Sequence, residues 1–276
     1  MIFYFLACTT PFEGLEEAKT QSLLENMVSF TETTFDMGYP DTEPGPYGNH
    51  WKETQQPMHR VNLSAYSIDK TEVSVAQYID FLNTLQQQGG SAASAHYHPL
   101  QPILWDGDTF IPVTENELLR PIRYVSWYDA VTYCSWLGKQ LPTEAQWEQA
   151  AKGDDLENPR RFPWEEGGAN CQKAVYFTNK TLCEDYPAEV GSHPDGNTPQ
   201  GVSDLAGNVS EWVWDWFDRY SEEEQTDPNG PDSGKYKILR GGGFRETSDA
   251  LRTADRVVAD PLSRSEGIGF RCVVPQ

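Results

Sequence analysis

A loop-rich α+β domain is the fold class this sequence predicts, and three observations predict it. Glycine and proline, 22 and 19 of 276 residues, are spread along most of the chain and interrupt any long element. The helical windows are few and short, and each opens on a capping signature. The strand windows are also short, and the spread of Gly and Pro favours this class over a helical bundle or a doubly wound sheet. No period of 20–50 residues repeats, so a solenoid or propeller is not expected.

The elements follow in order. Residues 9–25 are polar and weakly helical and read as a tether. "MVSFTETTFDMG" (27–38) alternates and reads as a strand. Residues 39–59 carry Pro, Gly and Asn and read as a loop. "HRVNLSAYSID" is a second strand. Ser74 with Gln77 forms a capping box that opens the helix "VAQYIDFLNTLQQQ", which stops at Gly89 and Gly90. Residues 91–120 read as an irregular excursion. Ser126 with Asp129 caps "WYDAVTYCSWLGK", and Thr143 with Gln146 caps "EAQWEQAAKG". Loops and short strands follow, among them "EWVWDWF", "YKILR" and "GFRCVV". In the first of these, Trp212, Trp214 and Trp216 share one face; Val213, Asp215 and Phe217 share the other.

The chain carries 42 acidic and 21 basic residues, a net charge of −21. Such a surface repels phosphate backbones and anionic lipid, so nucleic acid is set aside as a partner. Divalent cations and basic partners stay open. With 38% hydrophobic residues, 9 Trp and 13 Tyr, the chain is long enough to bury a core without depending on disulfides.

The first residues, "MIFYFLACTTPFEG", run apolar or small from Met1 to Ala7 and reach Cys8. A signal peptide has a basic start and about 7–15 apolar residues, and here the basic residues are missing and the run is short. A start assigned too late explains both. Ala7 suits the position before a lipidated cysteine; Phe5 suits the usual leucine position poorly. Residues 1–25 are therefore expected to be a signal or lipoprotein-like segment and tether, with a lipid on Cys8 giving membrane attachment. A plain buried segment is the alternative. Residues 26–276 are expected to form a single domain. Location follows from the lipid: exported, periplasmic or an outer-membrane lipoprotein in a bacterium.

Five cysteines stand at 8, 134, 171, 183 and 272, with no Cys-x-x-Cys pair. Cys171 and Cys183, twelve residues apart in a polar stretch, are expected to close a small disulfide loop. Cys134 on an apolar helix face and Cys272 in an apolar strand are expected to be reduced, buried thiols. One bridge implies an oxidising compartment. His96 and His98, in "AHYHP", are a weak metal signal and read as a solvated loop pair. No Gly-x-Ser-x-Gly or Walker-type loop is present.

Several blocks occur in order: "FDMG", "HRVNLSAYSIDKTEVSVAQY", "VSWYDAVTYCSWLGKQLPTEAQWEQAA", "PW…AN", "LAGNVSEWVWDW", "ILRGGGF" and "R…GFRC". In these the chain resembles the formylglycine-generating enzymes, or sulfatase-modifying factors, over about residues 26–276. The resemblance implies a C-type-lectin-like α+β fold with little regular secondary structure. It also implies a reaction, oxidation of a client cysteine to formylglycine by copper and oxygen. The copper is held by two cysteines just after the glycine run, here Gly241-Gly242-Gly243. Their positions fall on Glu246 and near Ser248 or Asp249, in a loop about two residues shorter than the family's. The soft thiolate pair that suits Cu(I) is absent, so no copper is expected.

The resemblance further implies structural calcium, a hard cation held by oxygen. A first site would use the side chains of Asp204 and Glu211 with the carbonyls of Gly207 and Val209. A second would use Asn170 and the carbonyl of Cys171, with Asp185 as its acidic member. In the alternative reading Asp204 and Asn208 only cap a turn. Six arginines, 240, 245, 252, 256, 264 and 271, crowd the last 37 residues. Arg252, Arg256 and Arg271 are expected in internal ion pairs. Arg245, Glu246, Ser248 and Asp249 are expected to line a ligand pocket built on residues 240–256.

Three functions fit these features. One is an exported, non-oxidising family member that binds a peptide or protein. Another is an enzyme of different chemistry in the same pocket, maturing a secreted product, with formylglycine generation itself the less favoured form. The third is a diversified lectin-like receptor, which the lack of Asn in residues 240–276 disfavours.

Overall fold

The alternating run 27–38 forms two strands, β1 (Met27–Phe30) and β2 (Thr33–Met37), because the chain bends through exposed Thr31 and Glu32. The computed structural model describes residues 24, 26–39, 52–89, 91–156, 159–164 and 166–275; Cys8, most of the tether and Gly90 lie outside them. A short helix α1 (Lys52–Gln55) precedes β3 (His59–Leu63) and β4 (Tyr66–Asp69). Next come α2 (Val75–Gly89) and α3 (Ser91–His96), then a hairpin of β5 (Ile103–Trp105) and β6 (Phe110–Pro112). Helices α4 (Trp127–Trp136) and α5 (Glu144–Lys152) complete the helical part. The remainder is strand and loop: β7 (Ser210–Trp216), β8 (Gln225–Thr226), β9 (Lys237–Arg240), β10 (Val257–Ala259), β11 (Ile268–Gly269) and β12 (Val273–Pro275).

The helix starts are where the capping residues place them. Ser126 and Asp129 bond each other's backbone N–H groups, as do Thr143 and Gln146. Ser74 N–H donates to Gln77 Oε1 at 2.8 Å and Gln77 N–H to Ser74 Oγ at 3.3 Å. Each such cap is worth about 0.5–2 kcal/mol. Helix α5 stops at Gly153, whose φ of +81° only glycine adopts without strain.

The strands form four small sheets, in the orders β1-β4-β12, β10-β9-β7-β11, β2-β3-β8 and β5-β6. Strand β7 divides the interior. Trp212 joins one core cluster with Phe81, Trp127, Tyr133 and Phe270, while Val213 joins another with Phe35, Tyr66, Trp147 and Ile238. This is the two-faced reading of "EWVWDWF" made solid.

Two expectations are corrected. Cys134 and Cys272 are not reduced thiols. They are bridged, with Cα atoms 5.7 Å apart, because α4 and the segment entering β12 pack in one cluster. Their separation of 138 residues hides that proximity. His96 is not a solvated loop residue. It ends α3, and its Nδ1 lies 3.0 Å from the buried carboxylate of Asp129, while His98 stacks on Tyr124. Cys171 and Cys183 form the expected bridge. The excursion 91–120 is better ordered than its composition implied, since Ile103 and Phe110 turn inward from a hairpin whose other apolar residues, Leu104, Trp105 and Ile111, face outward. No helix among the described residues is long and apolar enough to cross a membrane.

Candidate functional site

The segment 240–256 begins inside the protein. Arg240 is 1% exposed, and its Nη2 bonds the buried carboxylate of Glu148. Gly241 and Gly242 have φ of +87° and +68°. A Cβ on Gly241 would stand 3.1 Å from the Trp147 ring, and one on Gly242 only 2.8 Å from the carbonyl of Ala250. The close approach these glycines permit is therefore to the protein's own core, beneath the surface a ligand would touch. Phe244 anchors the turn, buried with Val175 and Ala188.

Past that anchor the chain emerges. The guanidinium of Arg245 lies over the Phe244 ring and pairs with Glu266 at 3.0 Å, on the surface. Glu246 is exposed, and its carbonyl accepts from Phe177 N–H. Ser248 lines a cavity of about 480 Å³ with Arg161, Phe162, Trp164, Gly167, Gly168 and Ala169. The carbonyl of Asp249 accepts from Arg252 Nε at 3.0 Å. Of the four expected pocket residues, Ser248 alone belongs to this cavity; Arg245, Glu246 and Asp249 flank it along the chain. The wall from 161 to 169 comes from the "RFPW" block, whose function the sequence did not disclose.

Arginines 252, 256 and 271 make the expected internal pairs, with Asp255 at 3.1 Å, Glu144 at 2.6 Å and Glu211 at 2.7 Å. These hold the loops that carry the segment. The last pair also bears on metal binding. Arg271 meets both oxygens of Glu211, and Trp147 Nε1 donates to one of them at 3.0 Å. Glu72 and Asp204 interact with the same guanidinium, so three buried carboxylates share one base. Burial pushes the Glu72 carboxyl well up, and the charges of Asp204 and Glu211 push it further. Asp204, at φ +59°, accepts from Gly191 N–H at 2.6 Å, and its carboxyl is raised, chiefly by burial.

Asp204 and the carbonyls of Gly207 and Val209 offer oxygens to a hard cation, but both oxygens of Glu211 are already held by Arg271 and Trp147. The second set suits one less. Asn170 Oδ1 already accepts from Gln172 N–H, its carbonyl accepts from Lys173 and Ala174, Cys171 is bridged, and Asp185 is exposed. Among the described residues no three His, Cys, Asp or Glu side chains are grouped to hold a metal. Glu72 escaped the sequence reading because it sits 132 residues from Asp204, and the block that contains it gave no sign that the two meet.

The fold and this site define a C-type-lectin-like α+β protein whose glycine-run loop carries no thiolate pair. Residues 12–275 match the sequence profile of the Sulfatase-modifying factor enzyme 1-like domain, and the chain belongs to that family, the family of the formylglycine-generating enzymes. It is 30% identical to the formylglycine-generating enzyme of Mus musculus over 303 residues, covering 94% of this chain and 77% of that protein. It is 31% identical to the serine/threonine-protein kinase Pkn1 of Chlamydia trachomatis over 268 residues, covering 93% of this chain but only 39% of that protein. The chain thus spans about two fifths of the kinase relatives it matches. Among solved structures, Treponema denticola variable protein 1 superposes with a TM-score of 0.65 at 23% identity, covering 91% of this chain and 95% of that one. That likeness shows the fold.

Proposed function

We propose that this chain is an exported, non-oxidising member of the family that binds a peptide or protein ligand over residues 240–256. The observation that carries the reading is chemical. By the family resemblance, Glu246 and Ser248 or Asp249 would stand at the positions of the copper-binding cysteines, and all four described cysteines are committed to two bridges. Carboxylate and hydroxyl are hard ligands and do not replace thiolates for Cu(I). Two bridges also support an oxidising compartment, with a lipid on Cys8 as the proposed anchor. The cavity beside Ser248 has the size of a small-molecule or side-chain site.

Incubated with Cu(I), oxygen and a peptide bearing the sulfatase motif, the purified protein is expected to form no aldehyde, as read by hydrazide capture and mass spectrometry. Turnover there would overturn the non-oxidising reading. The pair Arg245→Ala, Glu246→Ala is expected to leave the fold intact, since both side chains are exposed.

A structural calcium ion at Asp204, Glu211, Gly207 and Val209 is part of the same proposal. A ligand that binds only the native state adds about 2.7 kcal/mol at a hundred times its Kd. Calcium is expected to raise the melting temperature, chelator to lower it, and Asp204→Asn to abolish the difference. An unchanged melting curve with no calcium by elemental analysis removes the ion from the proposal.

A further inference from the structure

A second cavity, of about 570 Å³, shares no lining residue with the one beside Ser248. Its walls are the start of α5, the end of β7 and the loop 218–231. Asp215 lines it and is 5% exposed. Asp215 Oδ2 accepts from the backbone N–H of Glu144 at 2.7 Å; among the described residues none donates to Oδ1 and no base makes an ion pair with this carboxylate. Its neighbour Glu144 differs, because Arg256 neutralises it through two bonds of 2.6 and 2.8 Å. The hydroxyl of Tyr220, on the same wall, is buried with no hydrogen-bond partner among the described residues. His59 Nδ1 lies 3.1 Å from the carbonyl of Pro57, an acceptor, so that nitrogen carries the proton and Nε2 keeps a lone pair. The ring of Trp216, which already attracts the Lys237 ammonium at 3.9 Å, completes the lining. The wall thus offers a carboxylate oxygen, a phenol oxygen and an imidazole nitrogen, and its buried carboxylate, Asp215, makes no ion pair among the described residues, with Arg256 and Lys237 acting on it at longer range.

We propose that this cavity binds an ammonium group carried on an aliphatic chain, with Asp215 as its counter-ion. The ammonium supplies the three donors that Asp215 Oδ1 and the Tyr220 hydroxyl lack. Two sources share this chemistry, a free polyamine and a lysine side chain of another protein. The site is separate from the one proposed beside Ser248, and either stands if the other fails.

The charge is pH-dependent. Burial, then the negative charge of Glu144, push the Asp215 carboxyl up to about 7, against the opposing charges of Arg256 and Lys237. Asp218, Arg219 and His59 also line the cavity. As pH falls through 7 the carboxyl takes up a proton and the cation loses its partner.

Calorimetric titration of the intact protein with spermidine, and separately with a blocked Gly-Lys-Gly peptide, tests this. Binding of at least one is expected at pH 8, weaker by about tenfold for each unit below the pKa; which of the two binds identifies the source. Asp215→Asn keeps an oxygen for the Glu144 N–H and is expected to weaken binding about thirtyfold or more at pH 8. Tyr220→Phe, which keeps the ring, is expected to weaken it less. Asp108→Asn, an exposed single-charge change, is expected to have no effect. Binding that is unchanged between pH 8 and pH 6, equal loss in the Asp108 variant, or uptake of methyl glucoside in place of both amines would overturn the proposal. The wild-type pH series decides the matter even if Asp215→Asn does not fold.

Discussion

Arg271→Met is expected to cost about 3–5 kcal/mol of folding stability, the price of leaving buried charge without its partner. Arg271 is wholly buried. Beyond Glu211, its Nη1 bonds the carbonyl of Asp69 at 3.0 Å and its Nη2 the carbonyl of Ser203 at 2.8 Å. It therefore ties the end of β4, the loop before β7 and β7 itself to the segment entering β12. Without it, Glu72, Asp204 and Glu211 lose the one guanidinium that all three share. Denaturant titration reads the loss. Glu211→Gln placed on the Arg271→Met background is expected to recover part of it, because it removes one of the stranded charges. A loss no greater than 1 kcal/mol, or no recovery, would mean that a bound cation or a shift of the loop, and not Arg271, balances these acids.

The second large effect concerns the bridge between α4 and β12. Cys134→Ser with Cys272→Ser is expected to lose about 4–5 kcal/mol, since a loop of this length is among the most costly to close without a crosslink. The shorter Cys171–Cys183 loop is expected to cost about 3 kcal/mol on the same argument. Equilibrium unfolding of the two double variants, each beside the native chain, gives the order. If the Cys171 pair proved the more important, loop-closure entropy would not be what the long bridge supplies.

What the sequence disclosed, and what it did not, follows the range of the interactions. Caps act over three residues, and Ser126 with Asp129 or Thr143 with Gln146 announce α4 and α5 without help from the rest of the chain. The two-faced pattern of Trp212 and Val213 is equally local, and it placed β7 between the two cores. Hairpin β5–β6 escaped notice because it is three residues a side and shows as much apolar surface outward as inward. The Cys134–Cys272 bridge, the Glu72 contribution to the acidic cluster and the Asp215 cavity all join residues more than seventy positions apart. No spacing rule reaches that far. The glycine run was visible as a motif, but a motif does not say which side of a backbone is crowded. Trp147, beneath Gly241, shows that the crowding is internal.

The order in which the cysteines occur gives the long bridge a history. A ribosome makes the chain from the N-terminus, so on the proposed export Cys134, Cys171 and Cys183 would reach an oxidising compartment before Cys272 does. Four cysteines allow three pairings, and for the time it takes to make the intervening residues the native partner of Cys134 does not yet exist. What guards Cys134 in that interval is its place on the apolar face of α4, where early burial against Phe81 and Tyr133 would deny it to the nearer thiols. If the small loop of Cys171 and Cys183, only 12 residues apart, closes meanwhile, both competitors are removed. On the proposed export, correct oxidation would then be a matter of sequence in time, favoured when the short bridge is made first.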